Sequence, residues 1–156
     1  MKNALALSLL LSTAALIAGC GPAAAPAELA VVSPGDVWCR PTPKGRDVSG
    51  CYLTLTSSRD DRLTSVASPA AAQVQIHEMK IDNGIMSMTE LKDGLPLPAG
   101  EAVALQPGGA HLMLIGLTGP LAAGDVVSMT LTFAHAGPVG VRAQVRQPGA
   151  AGHSGH

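Results

Sequence analysis

Four stretches of the chain alternate between apolar and polar residues with a period of two. The clearest is residues 125–133, where Val127, Met129, Leu131 and Phe133 fall on one side and serine and threonine on the other. Because successive side chains of a β-strand point to opposite faces, this alternation predicts strands with one buried face. The pattern recurs at residues 50–58, 72–79 and 138–146.

Turn residues separate these stretches at intervals that suit strands and are too short for most helices. Asp-Gly at 93–94, Pro-Gly-Gly at 107–109 and Ala-Gly-Asp at 123–125 are examples. No sustained helical period follows the N-terminal segment, and a first strand is predicted near residues 28–32. About eight or nine short strands predict an all-β fold, either a sandwich or a Greek-key barrel.

The N-terminus is typical of an export signal. Lys2 precedes an apolar run from Ala4 to Ala18, which has the length of a signal-peptide core and is shorter than a membrane span. The run ends in Leu-Ile-Ala-Gly-Cys, which resembles the lipobox of bacterial lipoproteins. Residues 1–19 are therefore predicted to be a lipoprotein signal peptide, with Cys20 lipidated. The alternative is ordinary cleavage near Ala18, which would leave Cys20 as a free thiol.

The lipobox resemblance implies a location on the periplasmic side, anchored to a membrane. Gly21, rather than aspartate, follows the cysteine, which favours the outer membrane in a Gram-negative host. The Ala- and Pro-rich residues 20–34 are predicted to be a tether, residues 35–147 the β domain and residues 148–156 a flexible tail.

The two remaining cysteines, Cys39 and Cys51, are expected to pair. Export places them in an oxidising compartment, where two leftover cysteines usually form a disulfide. The bridge would close a loop of about a dozen residues and stabilise the fold by roughly 2–3 kcal/mol. The alternative is a pair of metal ligands, which their spacing disfavours because it is unlike Cys-x2-Cys.

Composition argues against a nucleic-acid partner. The formal net charge is -1, and only 13% of residues are charged, so no basic surface attracts phosphates. Aromatic residues make up 2% of the chain, which leaves no platform for stacking bases.

Histidine and methionine occur together in two places. Residues two apart share a strand face, so each His-x-Met or Met-x-Met pair points one way, and the turn predicted at residues 81–84 would fold two of the pairs into a hairpin. Core filling explains any single methionine, but it gives no reason for histidine to accompany methionine. The cluster comprises His77, Met79, Met86, Met88, His111 and Met113.

Imidazole and thioether together suit a soft cation of low charge, of which Cu(I) is the biological case. Zinc prefers cysteine, histidine and carboxylate, and calcium and magnesium require oxygen ligands. A His/Met site binds Cu(I) less tightly than a thiolate and is not lost to a disulfide. The cluster therefore indicates a copper carrier rather than a permanent copper site.

Other functions are less well supported. A blue-copper electron carrier needs a cysteine thiolate, and no cysteine follows Cys51. The sequence contains no nucleophile-elbow, zinc-protease or paired-carboxylate motif, so no enzyme is predicted. A structural or adhesive surface lipoprotein remains the alternative.

The spacing of the cluster resembles the motif of the periplasmic copper chaperone family PCuAC: a His, about ten residues, a Met, about twenty-one residues, then His-x-Met. Here ten residues separate His77 from Met88, and twenty-two separate Met88 from His111. The second gap is one residue longer than the family pattern. The surrounding sequence, including Pro-Gly-Gly-x-His-Leu-Met, is similar across residues 38–146.

The PCuAC resemblance implies a cupredoxin-like β-sandwich that delivers Cu(I) to the CuA centre of cytochrome c oxidase. The acceptor would be the CuA-bearing subunit or another copper chaperone; copper storage or resistance is the alternative role. Met79 and Met86 lie outside the motif and are secondary candidates. They are expected either to surround the ligands without binding copper or to replace a ligand during transfer. The ligands that the resemblance implies are His77, Met88, His111 and Met113.

The remaining histidines are weaker candidates. His153 and His156 lie in the tail, where two imidazoles on a flexible chain could bind Cu(II); the alternative is a solvated tail without a role. His135 is predicted to be structural or simply exposed. The two cysteines, Cys39 and Cys51, are not part of the family's pattern.

Overall fold

The computed structural model describes residues 29–149, and this part of the chain consists of β-strands without a helix. The predicted all-β class is confirmed, although ten strands form where the alternation indicated eight or nine. The strands are β1 (Val32–Cys39), β2 (Val48–Ser57), β3 (Asp61–Ala67), β4 (Ala71–Asp82), β5 (Ile85–Glu90), β6 (Leu95–Leu97), β7 (Ala102–Leu105), β8 (His111–Leu117), β9 (Val126–Phe133) and β10 (Val139–Val145).

Seven of the strands close into a barrel. They follow one another in the order β4, β8, β2, β1, β10, β9 and β3, and β3 returns to β4 through the pair Val66 and Val74. Strands β1 and β10 run parallel, and the other named pairs are antiparallel. Strand β5 extends the sheet beside β4, while β6 pairs with β3 and β7 with β2. This is the cupredoxin-like architecture expected from the sequence.

The alternating residues fill the barrel as their pattern predicts. In β9, Val127, Met129, Leu131 and Phe133 are all buried, and the residues between them are exposed. Tyr52 departs from the pattern, because it falls on the outward side of β2 and is nevertheless buried. The reason is an aromatic contact outside the main core: its ring lies 4.6 Å from that of Trp38, centroid to centroid.

The first strand begins close to the boundary expected between the tether and the β domain. Strand β1 starts at Val32, so residues 32–34, which were expected in the tether, lie in the sheet. A first strand was expected near residues 28–32, and the observed strand instead runs from Val32 to Cys39. Ala30 and Val32 are already buried. Among residues 29–149, no helix is long and apolar enough to cross a membrane. The predicted signal peptide, Cys20 and the tail histidines lie outside the described residues.

A disulfide joins Cys39, the last residue of β1, to Cys51 in β2. The two residues are direct cross-strand partners and are fully buried. Because the strands are antiparallel, the bridge closes the connection between them into a loop at one end of the barrel. Cys51 is also paired on its other side with Leu112 of β8, so the disulfide lies next to the strand that carries His111 and Met113.

Strands β4 and β5 form a hairpin that extends beyond the barrel. Strand β4 pairs with β8 up to His77 and with β5 from His77 onward. The turn between the strands is Asn83-Gly84, and both residues have positive φ, 50° and 78°. Two such residues define the type I′ turn that matches the twist of a hairpin. The turn expected at residues 81–84 therefore forms where the sequence placed it.

Candidate metal site

Strand register brings all six histidines and methionines of the cluster to one face of the sheet. His77 is paired directly with His111, Met79 with Met88, and Met113 with Gln75. Directly paired residues point to the same side, and residues two apart on a strand do so as well. Met86, opposite Ile81, shares this face with Met88. The two sequence clusters thus meet on neighbouring strands, with β4 in the middle.

His111 is held with one ring nitrogen free. It is 5% exposed, and its Nδ1 lies 3.0 Å from the carbonyl oxygen of Gly109. A carbonyl only accepts, so Nδ1 carries the proton and Nε2 keeps its lone pair. The Gly109 carbonyl also accepts the backbone N–H of Met79 at 3.2 Å. The hydrogen bond therefore fixes the tautomer of His111 and leaves Nε2 as a potential metal ligand.

His77 is also oriented by one hydrogen bond, but through Nε2 rather than Nδ1. Its Nε2 lies 2.9 Å from the side-chain oxygen of Gln75, and this acceptor places the proton on Nε2. The other nitrogen, Nδ1, is buried and has no hydrogen-bond partner within residues 29–149. Buried polar atoms are rarely left unpaired, so this lone pair marks a position for a ligand. The two rings, 5.7 Å apart between centroids, meet edge to face.

The surroundings of His77 keep its imidazole neutral. Burial lowers its pKa below the usual 6.5, and the neighbouring His111 lowers it further, while Glu90 opposes them. Glu90 is the partner of His77 on the β5 side. Only the neutral ring can offer a lone pair to a metal. The arrangement therefore favours the form of histidine that binds metal.

The four thioethers differ in exposure. Met79 and Met113 are half-buried, whereas Met86 and Met88 are 60% and 50% exposed. Met113 lies beside the imidazole pair on β8, and the other three lie on the hairpin. Within residues 29–149, no three His, Cys, Asp or Glu side chains form a group that could hold a metal ion. The donors gathered here are imidazole and thioether.

These side chains line a cavity of about 480 Å³. Its walls include five of the six donors; His77 is the exception and reaches the site through its contact with His111. Another part of the lining comes from the loop closed by the disulfide, through Arg40, Pro41, Pro43 and Val48. This part is largely apolar, which suits a soft, weakly charged ligand better than a strongly hydrated ion.

Tyr52 and Gly50 form a further wall that sequence reasoning missed. The Tyr52 ring lies 6.4 Å from the ring of His111, and its hydroxyl lies 2.9 Å from where a Cβ on Gly50 would be. A side chain at position 50 would therefore displace the Tyr52 hydroxyl from its present position. Burial raises the pKa of Tyr52, and Arg40, whose guanidinium lies 5.8 Å from the ring centroid, opposes this. Tyr52 occupies an outward position in the alternation of β2, so the sequence pattern did not predict that it would be buried beside the site.

His135 lies away from these residues, on the connection between β9 and β10. Its imidazole is exposed, as predicted, and its backbone N–H donates to the Asp61 carboxylate at 3.0 Å. The proposed secondary ligands His153 and His156, and the lipidation site Cys20, fall outside the described residues. Gln75, which orients His77, was also missed; its only sequence signal is a position two residues before His77.

Comparison with known proteins agrees with this description. A family model described as "Putative lipoprotein LpqE-like" matches residues 32–145. "Putative lipoprotein Lxx21020" of Leifsonia xyli subsp. xyli (strain CTCB07) is 38% identical over 96 residues, which are 62% of this chain and 58% of that protein. The matched region thus spans less than two thirds of the relative's length.

Solved structures give the same fold. The copper-bound PCuAC domain from PmoF2 is similar with a TM-score of 0.61 and 28% identity, over 75% of this chain and 93% of that one. The solution structure of CuI-DR1885 from Deinococcus radiodurans gives 0.60 and 27%, over 74% and 77%. The resemblance to PCuAC seen in the sequence is confirmed. The chain belongs to the LpqE-like lipoprotein family, within the wider PCuAC-like group.

Proposed function

We propose that this chain is an exported, non-enzymatic copper chaperone that binds one Cu(I). The observation that carries the proposal is the pair of imidazole lone pairs on His77 and His111. Each is left free because the other ring nitrogen donates to an oriented acceptor, and both lie on a face whose other donors are thioethers. The proposed ligands are His77, Met88, His111 and Met113.

The chemistry of the donors favours copper in its reduced state. Neutral imidazole and thioether are soft ligands, and neither brings a negative charge to a monovalent ion. The lowered pKa of His77 keeps its ring neutral. Similar solved structures described as a copper-bound PCuAC domain and as CuI-DR1885 support copper as the cargo.

The exposure of the site suits delivery. Met88 is half exposed on the hairpin, so an acceptor's own ligand can displace its sulfur and take the ion by stepwise exchange. We assign the acceptor to the CuA-bearing subunit of cytochrome c oxidase or to another copper chaperone. The lipoprotein family supports a membrane anchor at Cys20, which would hold the carrier on the periplasmic side of a membrane, the outer membrane in a Gram-negative host.

The ligand set is tested by anaerobic titration of Cu(I) against a chromogenic chelator. His111→Ala and Met88→Ala are each expected to weaken Cu(I) binding by roughly tenfold or more, since removing even an outer partner of a ligand has an effect of that order. Matched controls are His135→Ala, an exposed histidine, and Met129→Leu, a core methionine. Equal affinity in all five proteins, the wild type included, would contradict the assignment.

Copper storage or resistance, and a purely structural surface role, are the alternatives. A storage protein would bind Cu(I) with the same ligands but would not load a purified CuA domain that lacks copper. A structural lipoprotein would bind copper equally well after simultaneous replacement of the four proposed ligands. Transfer to the CuA domain, followed by the absorption of the assembled centre, separates delivery from both.

A further inference from the structure

Thioethers are more numerous at this face than one copper ion requires. Residues 29–149 contain five methionines, four of which line the cavity. The fifth, Met129, lies in the barrel core and is 2% exposed. The proposed Cu(I) site uses Met88 and Met113, and therefore leaves Met79 and Met86 without a role.

Three of the methionines form a compact group on the hairpin. Met79 and Met88 are direct cross-strand partners, and Met86 is two residues from Met88 on the same face. Side chains so related have Cβ atoms about 5 Å apart for the direct pair and roughly 7–8 Å for the diagonal pair. Methionine has three rotatable side-chain bonds, so the three sulfur atoms can converge on one point.

Packing does not account for this group. Met86 and Met88 are 60% and 50% exposed, so they fill no gap in the barrel core. The hairpin's charged residues Glu78 and Lys80 form an ion pair at 3.0 Å and lie on the other face. The face that carries the methionines thus presents their thioethers between Ile81, opposite Met86, and Glu90, opposite His77.

We infer that Met79, Met86 and Met88 form a second Cu(I) position, made of thioethers alone, at the mouth of the cavity. Three neutral sulfur donors satisfy a soft monovalent ion and discriminate against harder cations. The inference rests on the proposed function, in which His77, Met88, His111 and Met113 bind a single ion; when both positions are filled, His77, His111 and Met113 hold the inner ion and Met88 passes to the outer one. It extends that function by adding a second binding position for Cu(I), formed by Met79, Met86 and Met88 and called the outer station.

Met88 belongs to both positions and connects them. An ion at the inner position can gain Met79 or Met86 while it loses an imidazole, and then moves outward along the hairpin. Each exchange replaces one neutral donor by another, so the copper stays Cu(I) and no proton is transferred. The outer station is the part of the site that an incoming acceptor meets first.

The test measures how many copper ions each chain binds when the ligands of one position at a time are removed by substitution. All proteins carry His153→Ala and His156→Ala, so that tail imidazoles do not contribute. Reduced copper is added anaerobically in excess, weakly bound ions are removed by gel filtration, and copper per chain is measured. The remaining copper is examined by X-ray absorption, which distinguishes sulfur-only from mixed nitrogen and sulfur coordination.

Two equivalents are expected in the background protein and one in Met79→Leu/Met86→Leu, where leucine keeps the volume and removes the sulfur. His77→Ala/His111→Ala is expected to keep one equivalent with sulfur-only coordination. Met129→Leu, the matched core substitution, should keep two.

Other outcomes separate the two proposals. One equivalent in the background protein, unaffected by Met79→Leu/Met86→Leu and lost in His77→Ala/His111→Ala, would overturn the outer station and support the inner site. If the background protein bound one equivalent and only Met79→Leu/Met86→Leu lost it, the thioether position would be supported and the inner ligand set would be wrong. Two equivalents that survive Met79→Leu/Met86→Leu would overturn the outer station.

Discussion

His77 and His111 are direct partners on β4 and β8, with ring centroids 5.7 Å apart and opposite ring nitrogens facing oxygen acceptors. His77 donates through Nε2 and His111 through Nδ1. The lone pairs are therefore Nδ1 of the first ring and Nε2 of the second. This pairing depends on two acceptors, Gln75 and the Gly109 carbonyl, neither of which is itself a proposed copper ligand.

The first prediction concerns Gln75. Gln75→Leu removes the acceptor that fixes the tautomer and orientation of His77, and it should weaken Cu(I) binding by about 10–100-fold. Chelator competition measures the change. Gln73→Leu is the matched control, because Gln73 lies on the same face of β4 but is paired with Ile115, away from the pair His77 and His111. Equal losses in the two variants would mean that Gln75 acts through general packing rather than through His77.

The second prediction concerns the close approach of Tyr52 to Gly50. A Cβ on Gly50 would lie 2.9 Å from the Tyr52 hydroxyl and 3.4 Å from the ring carbon that bears it. Gly50→Ala should therefore destabilise the protein by about 1–3 kcal/mol, the usual effect of overpacking. Removing the hydroxyl with Tyr52→Phe should restore most of the loss in the double variant, as measured by urea unfolding.

Two controls define this double-variant experiment. Tyr52→Phe alone should change stability little, since phenylalanine keeps the ring that packs against Trp38 and removes only the hydroxyl. Gly35→Ala should also be tolerated, because no atom lies within 4 Å of its Cβ position. If Tyr52→Phe failed to rescue Gly50→Ala, the strain would come from the backbone of β2 and not from the hydroxyl.

The hairpin and the inward residues of β9 could be predicted from the sequence because their signals are local. Alternation fixes which side chains share a face, and Asn-Gly fixes the turn that sets Met79 opposite Met88. The same-facing pairs of the cluster follow from this period alone. They needed no knowledge of the order in which the strands pair.

The rest of the site depends on pairings between distant parts of the chain. His77 meets His111 only because β4 lies next to β8, and this order follows from closure of the barrel, which no short sequence pattern specifies. Tyr52 was missed for the same reason, since its burial requires the neighbouring strand β1 to place Trp38 against it. Hydrogen bonds such as that of Gln75 also require side-chain conformations that alternation does not encode.

The third prediction concerns the disulfide between Cys39 and Cys51. It closes the loop that supplies one wall of the cavity, including Arg40, Pro41 and Pro43. Cys39→Ala/Cys51→Ala should lower the free energy of unfolding by about 3 kcal/mol, as expected for a loop of this length. Cu(I) binding should weaken as well, because the loop that contributes to the cavity lining is no longer held.

Reduction provides the control for the disulfide variant. A thiol reductant should lower the urea midpoint of the wild type to that of Cys39→Ala/Cys51→Ala, and it should leave the variant unchanged. If the reductant destabilised both proteins equally, its effect would not arise from this bridge.

The last prediction concerns Asp61, which joins β3 to the connection between β9 and β10. Its carboxylate accepts the backbone N–H groups of Arg62 at 2.7 Å, His135 at 3.0 Å and Ala136 at 2.8 Å. Burial alone would raise its pKa, but these donors, together with the His135 imidazole, lower it below the usual 3.8. The folded protein therefore binds a proton at Asp61 less readily than the unfolded chain does.

The sign of the pH dependence follows from this difference. Because the pKa is lower in the folded state, the stabilisation from Asp61 is complete above about pH 5 and is lost as the pH falls through the lowered value. Asp61→Asn should destabilise the protein at pH 7 by about 1.5–3 kcal/mol, as for hydrogen bonds to a charged group. The difference from wild type in urea unfolding should shrink as the pH falls below 4. Asp93→Asn, at an exposed position nearby, should show neither effect; a constant difference across pH would instead mean that the Asp61 contribution is steric.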